Sequence, residues 1–290
     1  MGSECTLCFG APDQKAALAA ELEIDRIEQR YSRYLPDSVL ARINRVAAIG
    51  GSIEVDDETA ALLDFAFVCH RKSNGLFDIT SGILRRAWDF SSGQVPDQAE
   101  VARWLPHVGL DKLTWERPVL TFPRVGMELD LGGIGKEYAA DRAAEVCAAA
   151  GVAHGLVNLG GDIRVIGPQA DGTPWPISIL DPRGPGSSLE TVLLTRGALA
   201  TSGDYRRCLS LNGRRLGHIL SPLTGWPVGG LSSVSVVADS CLVAGSVATI
   251  ALLMGESGPA WLAGLGLRSL WVDSQGGSGR HSEPRLALAS

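Results

Sequence analysis

The run from Asp130 to Lys136, DLGGIGK, passes from glycine-rich backbone directly into a helix start. Exposed N–H groups at such a start, the helix dipole and the Lys136 ammonium together make a seat for a phosphate. The competing use of the same residues is a tight turn that lets a strand pack on a helix. Asp162 in NLGGDIRVIG and Asp204 in ATSGDYRR also follow small residues that permit close backbone approach, and each, taken singly, reads as a brace for its own turn. His218 in GHILSPLTG precedes a Ser-Pro turn, and in isolation it reads as a structural histidine.

Several other chemistries are excluded. There is no GxxxxGK[ST] phosphate loop and no GxSxG nucleophile elbow, and GGIGK at 132–136 lacks the GxGxxG spacing of a dinucleotide fold. Cysteines at 5, 8, 69, 147, 208 and 241 are too scattered for a disulfide framework. Cys5 and Cys8 form a lone CxxC with no second ligand pair, and on a strand over residues 3–9 two side chains three apart point to opposite faces.

The formal net charge is −6, with no basic block to neutralise a row of phosphates, so nucleic acid is not an expected partner. With 290 residues, 45% of them hydrophobic, the chain can bury a large core. Its apolar runs break well before the ~18 residues of a membrane helix, so no membrane span is expected. The first ten residues lack a basic and an apolar region of an export signal. Read as given, the chain is cytoplasmic; with a leader removed ahead of Met1 it would be periplasmic.

The elements that must position these residues follow from periodicity. Residues 14–34 carry Leu18, Leu22, Ile24 and Ile27 at helical spacing and stop before Pro36. A second helix is expected at about 57–73, capped by Asp57 and closed by Asn74-Gly75, and a third at about 136–150, ending at Gly151. Beyond it, eight short runs rich in Val, Ile and Leu, from GLVNLGG to LSSVSVVA, read as strands of one meandering sheet, with a hairpin at Asn212-Gly213. A helix apolar nearly all round is expected at about 241–255, and 274–284 reads as a flexible tail. Antiparallel strand runs with inserted helices predict an α+β fold, and argue against a doubly wound parallel sheet.

Eight segments in order carry a family resemblance. MGSECTLCFG, RYSRYLPDSVLARIN, NGLFDITSGILRRAWDF, DLGGIGKEYAADRAAEV, GLVNLGGDIRVIG, GALATSGDYRR, HILSPLTGWPV and LVAGSVAT resemble the FAD:protein FMN transferases, the ApbE family first named for thiamin-biosynthesis lipoproteins. The resemblance runs from residue 1 to about 266. We therefore take 1–270 as one flavin-transferase domain and 271–290 as a C-terminal tail, partly flexible.

The resemblance implies two closely packed α+β lobes with an FAD groove between them. It implies Mg²⁺-dependent transfer of FMN from FAD to a Ser or Thr of an acceptor flavoprotein, with release of AMP. Carried over by motif, Met1, Tyr34, Phe77 and Asp78 would line the flavin or adenosine pocket, and Asp130 and Lys136 would lie near the nucleotide. The Gly133 carbonyl and the Thr249 side chain would hold the metal, Ile219 would touch the cofactor, and His218 becomes the candidate base.

The departures point the other way. Where the family has Ala-Asp-Ala-x-x-Thr on its last helix, this chain has Ala244-Gly245-Ser246-Val247-Ala248-Thr249, so a metal-binding carboxylate is missing. Ser246 offers only a neutral oxygen. Glu137 stands where Gly is common and adds negative charge beside the phosphate seat. Ser221 and Leu223 replace the Asp and Arg of His-x-x-Asp-Pro-Arg-Thr-Gly, removing an acid and a base together. Two alternatives to a working transferase therefore stand: an FAD-binding protein with weakened or lost transfer, and a slow FAD hydrolase.

Overall fold

A computed structural model describes residues 4–184, 186–204, 208–211 and 214–282. In chain order it forms β1 (Cys5–Phe9), α1 (Gln14–Tyr31), α2 (Val39–Ile49), β2 (Gly51–Glu54), α3 (Asp57–Lys72), α4 (Gln98–Trp104), β3 (Thr114–Glu116) and β4 (Val119–Phe122). There follow α5 (Gly135–Ala149), β5 (Gly155–Leu159), β6 (Asp162–Gly167), β7 (Trp175–Leu180), β8 (Ser188–Leu194), β9 (Gly197–Gly203), β10 (Cys208–Leu211) and β11 (Arg214–Gly217). The chain closes with β12 (Leu231–Ala238), α6 (Cys241–Leu253), α7 (Gly258–Leu265), β13 (Ser269–Asp273) and β14 (Ser278–His281). This is the expected mixture of helices and antiparallel sheet. It divides into two compact units, Met1–Ile24 with Lys136–Tyr205 and Gly229–Ser290, and Asp25–Gly135 with Arg206–Val228.

The first unit is built on a seven-stranded sheet in the order β1-β5-β6-β9-β12-β13-β14, every neighbour antiparallel. One face meets the β7–β8 ribbon, where Ile177, Ile179, Val192 and Leu194 pack with Leu156, Val165, Leu199 and Leu270. The other face carries α6 over β9 and β12. Strand alternation puts Ala198, Ala200 and Ser202 of β9 on that face, beside Val234 and Val236 of β12. Side chains this small let a helix come close, and the Ser202 and Thr249 hydroxyls meet at 2.7 Å.

Helix α5 approaches the α6 N-terminus through Asp141, whose carboxylate accepts the Cys241 and Leu242 N–H groups at 2.8 and 2.9 Å and faces the Arg164 guanidinium at 3.5 Å. Four residues earlier on the same face of α5, Glu137 meets Gly245, four residues later on α6. The two helices therefore run antiparallel where they touch.

In the second unit, β2, β4 and β3 form a small antiparallel sheet. Trp88 stands edge-on to Trp226 at 5.2 Å and donates its indole N–H to the Gly225 carbonyl at 2.8 Å. Around it lie Val101 and Leu209.

Several expectations need correction. Helix α1 ends at Tyr31 and buries Ala16, Ala20, Ile24, Ile27 and Tyr31, whereas Leu18 and Leu22 are more than half exposed. Small alanines, which were not among the expected apolar positions, form part of the close-packed stripe. The cap of α3 is Asp56, whose carboxylate accepts the Thr59 N–H at 3.1 Å, one residue before the expected Asp57. Helix α2 was not expected, although its signals are local: Ser38 caps the Ala41 N–H, and Leu40, Ile43 and Ala47 share one buried face.

All eight expected strands after α5 form, yet they do not make one meander. β7–β8 is a separate ribbon and β10–β11 a separate antiparallel pair, while β1 returns from the start of the chain to pair with β5. Long-range pairing of this kind is set by burial across the sheet and leaves no local signature. The expected hairpin turn Asn212-Gly213 lies outside the described residues. The segment read as a flexible tail contains β14, paired to β13 from Ser269↔His281 to Val272↔Ser278.

Asp141 satisfies two of the four N–H groups that a helix start leaves open. Asp141→Ala is expected to cost about 1–3 kcal/mol, read as a lower midpoint in urea unfolding. A change smaller than about 0.5 kcal/mol, the size of an ordinary surface substitution, would mean that the α6 start is held by other contacts.

Candidate active site

The turn ahead of α5 is fixed by its first residue. The Asp130 N–H donates to the Ile79 carbonyl at 2.7 Å, its carboxylate accepts the Gly132 N–H at 2.9 Å, and the Arg33 guanidinium pairs with it. A Cβ on Gly82 would stand 2.3 Å from the Asp130 Cβ, so glycine is required there. Arg33 also lies over the exposed Tyr34 ring at 4.9 Å and donates to its hydroxyl at 2.8 Å. Gly133 sits against the edge of the buried Phe77 ring, with 3.5 Å from an added Cβ to Phe77 Cζ. Tyr34, Asp130, Gly133 and Phe77 thus all belong to the second unit, joined by Arg33, which the sequence did not single out.

Asp78 lies in the second unit, within a network of the chain's own donors. Its buried carboxylate accepts the Thr80 hydroxyl at 2.6 Å, the Thr80 N–H at 2.7 Å and the Leu110 N–H at 2.8 Å, with His70 Nε2 at 3.6 Å. Burial alone would raise its pKa. The donors from His70, Thr80 and Leu110 outweigh it and hold the carboxyl below the usual carboxylate range. Both oxygens are engaged by the chain itself, so Asp78 fixes the loop that carries Phe77.

In the first unit, Lys136 opens α5 and pairs with Asp162, which is 2% exposed and also receives the Thr201 N–H at 3.4 Å. Asp162 is therefore the counter-charge of the lysine that the sequence assigned to a phosphate. The next residue, Glu137, is buried under α6. A Cβ on Gly245 would lie 2.5 Å from Glu137 Cγ and 3.0 Å from Oε1, so the glutamate occupies the space that a longer residue at 245 would need. Glu137 Oε2 and the Ser246 hydroxyl are buried without a hydrogen-bond partner. Burial pushes the Glu137 carboxyl pKa up, against the pull of Lys136.

Thr249, one helical turn beyond Gly245, shares its face of α6 and bonds to Ser202. The sequence reading took Glu137 for a charge opposed to phosphate, and the structure shows it packed against Gly245. The available signal was that positions 137 and 245 depart from the family pattern together, one gaining the carboxylate that the other lacks.

His218 is exposed and stands edge-on to Phe90 at 6.5 Å between ring centres. The following turn closes by Ser221 N–H to Trp226 O and Gly225 N–H to Ser221 O, both 2.8 Å. The Ser221 hydroxyl accepts the Leu223 N–H at 3.3 Å, while Leu223 points outward. Ser221 thus braces the turn where the family pattern has Asp, and the turn forms without an acid–base pair. Ile219 accepts the Val228 N–H at 3.0 Å, closing the same loop. Met1 lies outside the described residues.

Chemically, the first unit offers the Lys136 ammonium at the α5 start and a carboxyl oxygen and a hydroxyl without partners at Glu137 and Ser246, and the second unit offers the exposed imidazole of His218. Among the described residues no group of three His, Cys, Asp or Glu side chains forms a complete metal cage. A single carboxylate with neutral oxygens nevertheless suits Mg²⁺, which fills its remaining positions with water and substrate phosphates. The orphaned Glu137 oxygen and the cradle at Gly245 fit such an ion.

Comparison with known proteins identifies the family. The model of the ApbE family matches residues 1–271. The chain is 30% identical over 260 residues to a Haemophilus influenzae FAD:protein FMN transferase, covering 85% of this chain and 74% of that protein. The ApbE protein of Thermotoga maritima superposes with a TM-score of 0.84 at 32% identity, covering 93% of this chain and 92% of the other. The flavin transferase ApbE of Vibrio cholerae superposes at 0.86 with 28% identity, covering 98% and 95%.

The Asp78 carboxyl is lower in the folded protein than unfolded, so its stabilisation is fully present above the unfolded value, roughly 3.9, and is lost as pH falls through the folded one. Asp78→Asn is accordingly expected to be destabilised relative to the parent near pH 6. The gap should shrink as denaturation is repeated toward pH 3. A gap that stays constant over this range would show that the charge on Asp78 is irrelevant.

Proposed function

This chain belongs to the ApbE family, and we propose that it acts as an FAD:protein FMN transferase, moving FMN with the help of Mg²⁺ onto a Ser or Thr hydroxyl of an acceptor flavoprotein. The observation that carries the reading is the family match over residues 1–271, which includes the glycine-rich phosphate seat and the His218 turn.

In this reading the acceptor hydroxyl attacks the phosphorus of the FMN half of FAD. A phosphoester forms, the bridging P–O bond breaks, and AMP leaves with that oxygen. Such a displacement demands positioning, compensation of pyrophosphate charge and a place for the hydroxyl proton. Lys136, itself aligned by Asp162 at the positive end of the α5 dipole, receives the phosphates. The exposed Tyr34 ring, backed by Arg33, presents aromatic surface to the ring systems, and the buried Phe77 supports the turn at Gly133. His218 takes the hydroxyl proton, and its exposure leaves room for an acceptor protein. Mg²⁺, when bound, neutralises charge on the pyrophosphate and the leaving AMP; the Thr249 hydroxyl and the Gly133 carbonyl are the neutral oxygens proposed to hold it.

Incubation with FAD, Mg²⁺ and Ser- or Thr-containing flavoprotein fragments is expected to yield AMP and an equal amount of fragment heavier by one FMN in mass spectrometry. His218→Ala is expected to slow this by roughly 10²–10⁴-fold while FAD binding is retained. AMP with free FMN and no adduct would make the protein an FAD hydrolase. Bound FAD with neither product would make it a carrier.

A further inference from the structure

The contact between Glu137 and Gly245 has features that packing alone does not account for. A carboxylate that is 7% exposed normally finds donors for both oxygens, because leaving one bare forfeits hydration with nothing in return. Glu137 Oε2 has none, and the neighbouring Ser246 hydroxyl, 2% exposed, has none either.

The cations close by are committed elsewhere: Lys136 to Asp162, and Arg164 to Asp141. Three buried carboxylates therefore face two cations, and Glu137 is the one that carries an oxygen with no hydrogen-bond partner. Gly245 makes room for it, since any side chain there would collide with Glu137 Cγ. Thr249, four residues on, places a hydroxyl on the same face of α6.

We propose that Glu137 is the carboxylate ligand of the divalent cation in this protein, reaching from α5 into the place that an aspartate at 245 would fill from α6. The missing carboxylate is relocated, and the departures at 137 and 245 are two halves of one exchange. The inference rests on the transferase reading for the cation's purpose, though cation binding can be measured without turnover. It also reverses the sequence-based reading of Glu137 as a charge that opposes phosphate binding, because a carboxylate joined to a divalent cation leaves a net positive seat.

The test is Mn²⁺ titration of the full chain, with and without FAD, followed by calorimetry and by the loss of the free-ion electron spin resonance signal. The parent is expected to bind Mn²⁺ in the presence of FAD, and Glu137→Gln to weaken that binding by at least about tenfold. Without metal, Glu137→Gln should melt at the same or higher temperature, since it removes an unpaired buried charge. The exchanged double variant Glu137→Gly with Gly245→Asp should return the affinity to within about threefold of the parent, a difference of less than ~0.7 kcal/mol. Gly245→Asp alone should melt lower, because its side chain meets Glu137.

Unchanged Mn²⁺ affinity in Glu137→Gln, or no binding by the parent with FAD, overturns the proposal. So does a Glu137→Gln protein that melts lower and binds Mn²⁺ as before, which would make Glu137 a structural brace. Should Glu137→Gln fail to fold, the double variant decides alone: binding supports the exchange and its absence refutes it. Glu137-dependent Mn²⁺ binding without any FMN transfer would sink the transferase reading and leave this one standing. Transfer undiminished in Glu137→Gln would do the reverse.

Discussion

The approach of α5 to α6 is the constraint on which the first unit turns. These helices lie a hundred residues apart in the chain and are joined by two carboxylates on one face of α5. Asp141 receives the open N–H groups at the α6 start, which sets where that helix begins. Glu137, one turn earlier, fits against a glycine and thereby sets how near the helices come. The small side chains of β9 hold α6 down from the other side, so Thr249 reaches Ser202 and its register over the sheet is defined.

Carboxylates organise most of the candidate site, and they do so by accepting hydrogen bonds from backbone. Asp130 shapes the glycine turn, Asp78 ties the loop behind Phe77 to Leu110, and Asp56 and Asp141 start helices. Asp162 aligns Lys136. Each of these carboxylates accepts from the chain's own donors, which fixes the turn or helix start it serves. Glu137 differs in that its Oε2 is buried without a hydrogen-bond partner.

The His218 turn illustrates a substitution made as a unit. An aspartate there without its arginine would strand a charge, whereas Ser221 supplies the turn with an acceptor and Leu223 stays outside. The backbone path of the loop is retained by Ser221, Trp226 and the Trp88 bond to Gly225. The imidazole is left exposed beside Phe90, suited to a reaction whose acceptor is another protein.

Family and fold class were legible in the sequence because both rest on local pattern: eight motifs in order, strand runs broken by Gly and Pro, and helices stopped by Gly151 and Asn74-Gly75. Helix positions were recovered to within a few residues where propensity and capping agree, as at α3, α5 and α6. Burial was not recovered so well. α1 hides its alanines and exposes Leu18 and Leu22, since the neighbouring surface, and not hydrophobicity alone, chooses the inward face. The pairing of β1 with β5 and the separation of β7–β8 from the large sheet were likewise decided by distant partners. At the site, sequence named the residue types and reported one carboxylate lost at 245 and one gained at 137. Only the tertiary structure put the gain in the space of the loss, because side chains from two helices share a volume only once the chain has folded.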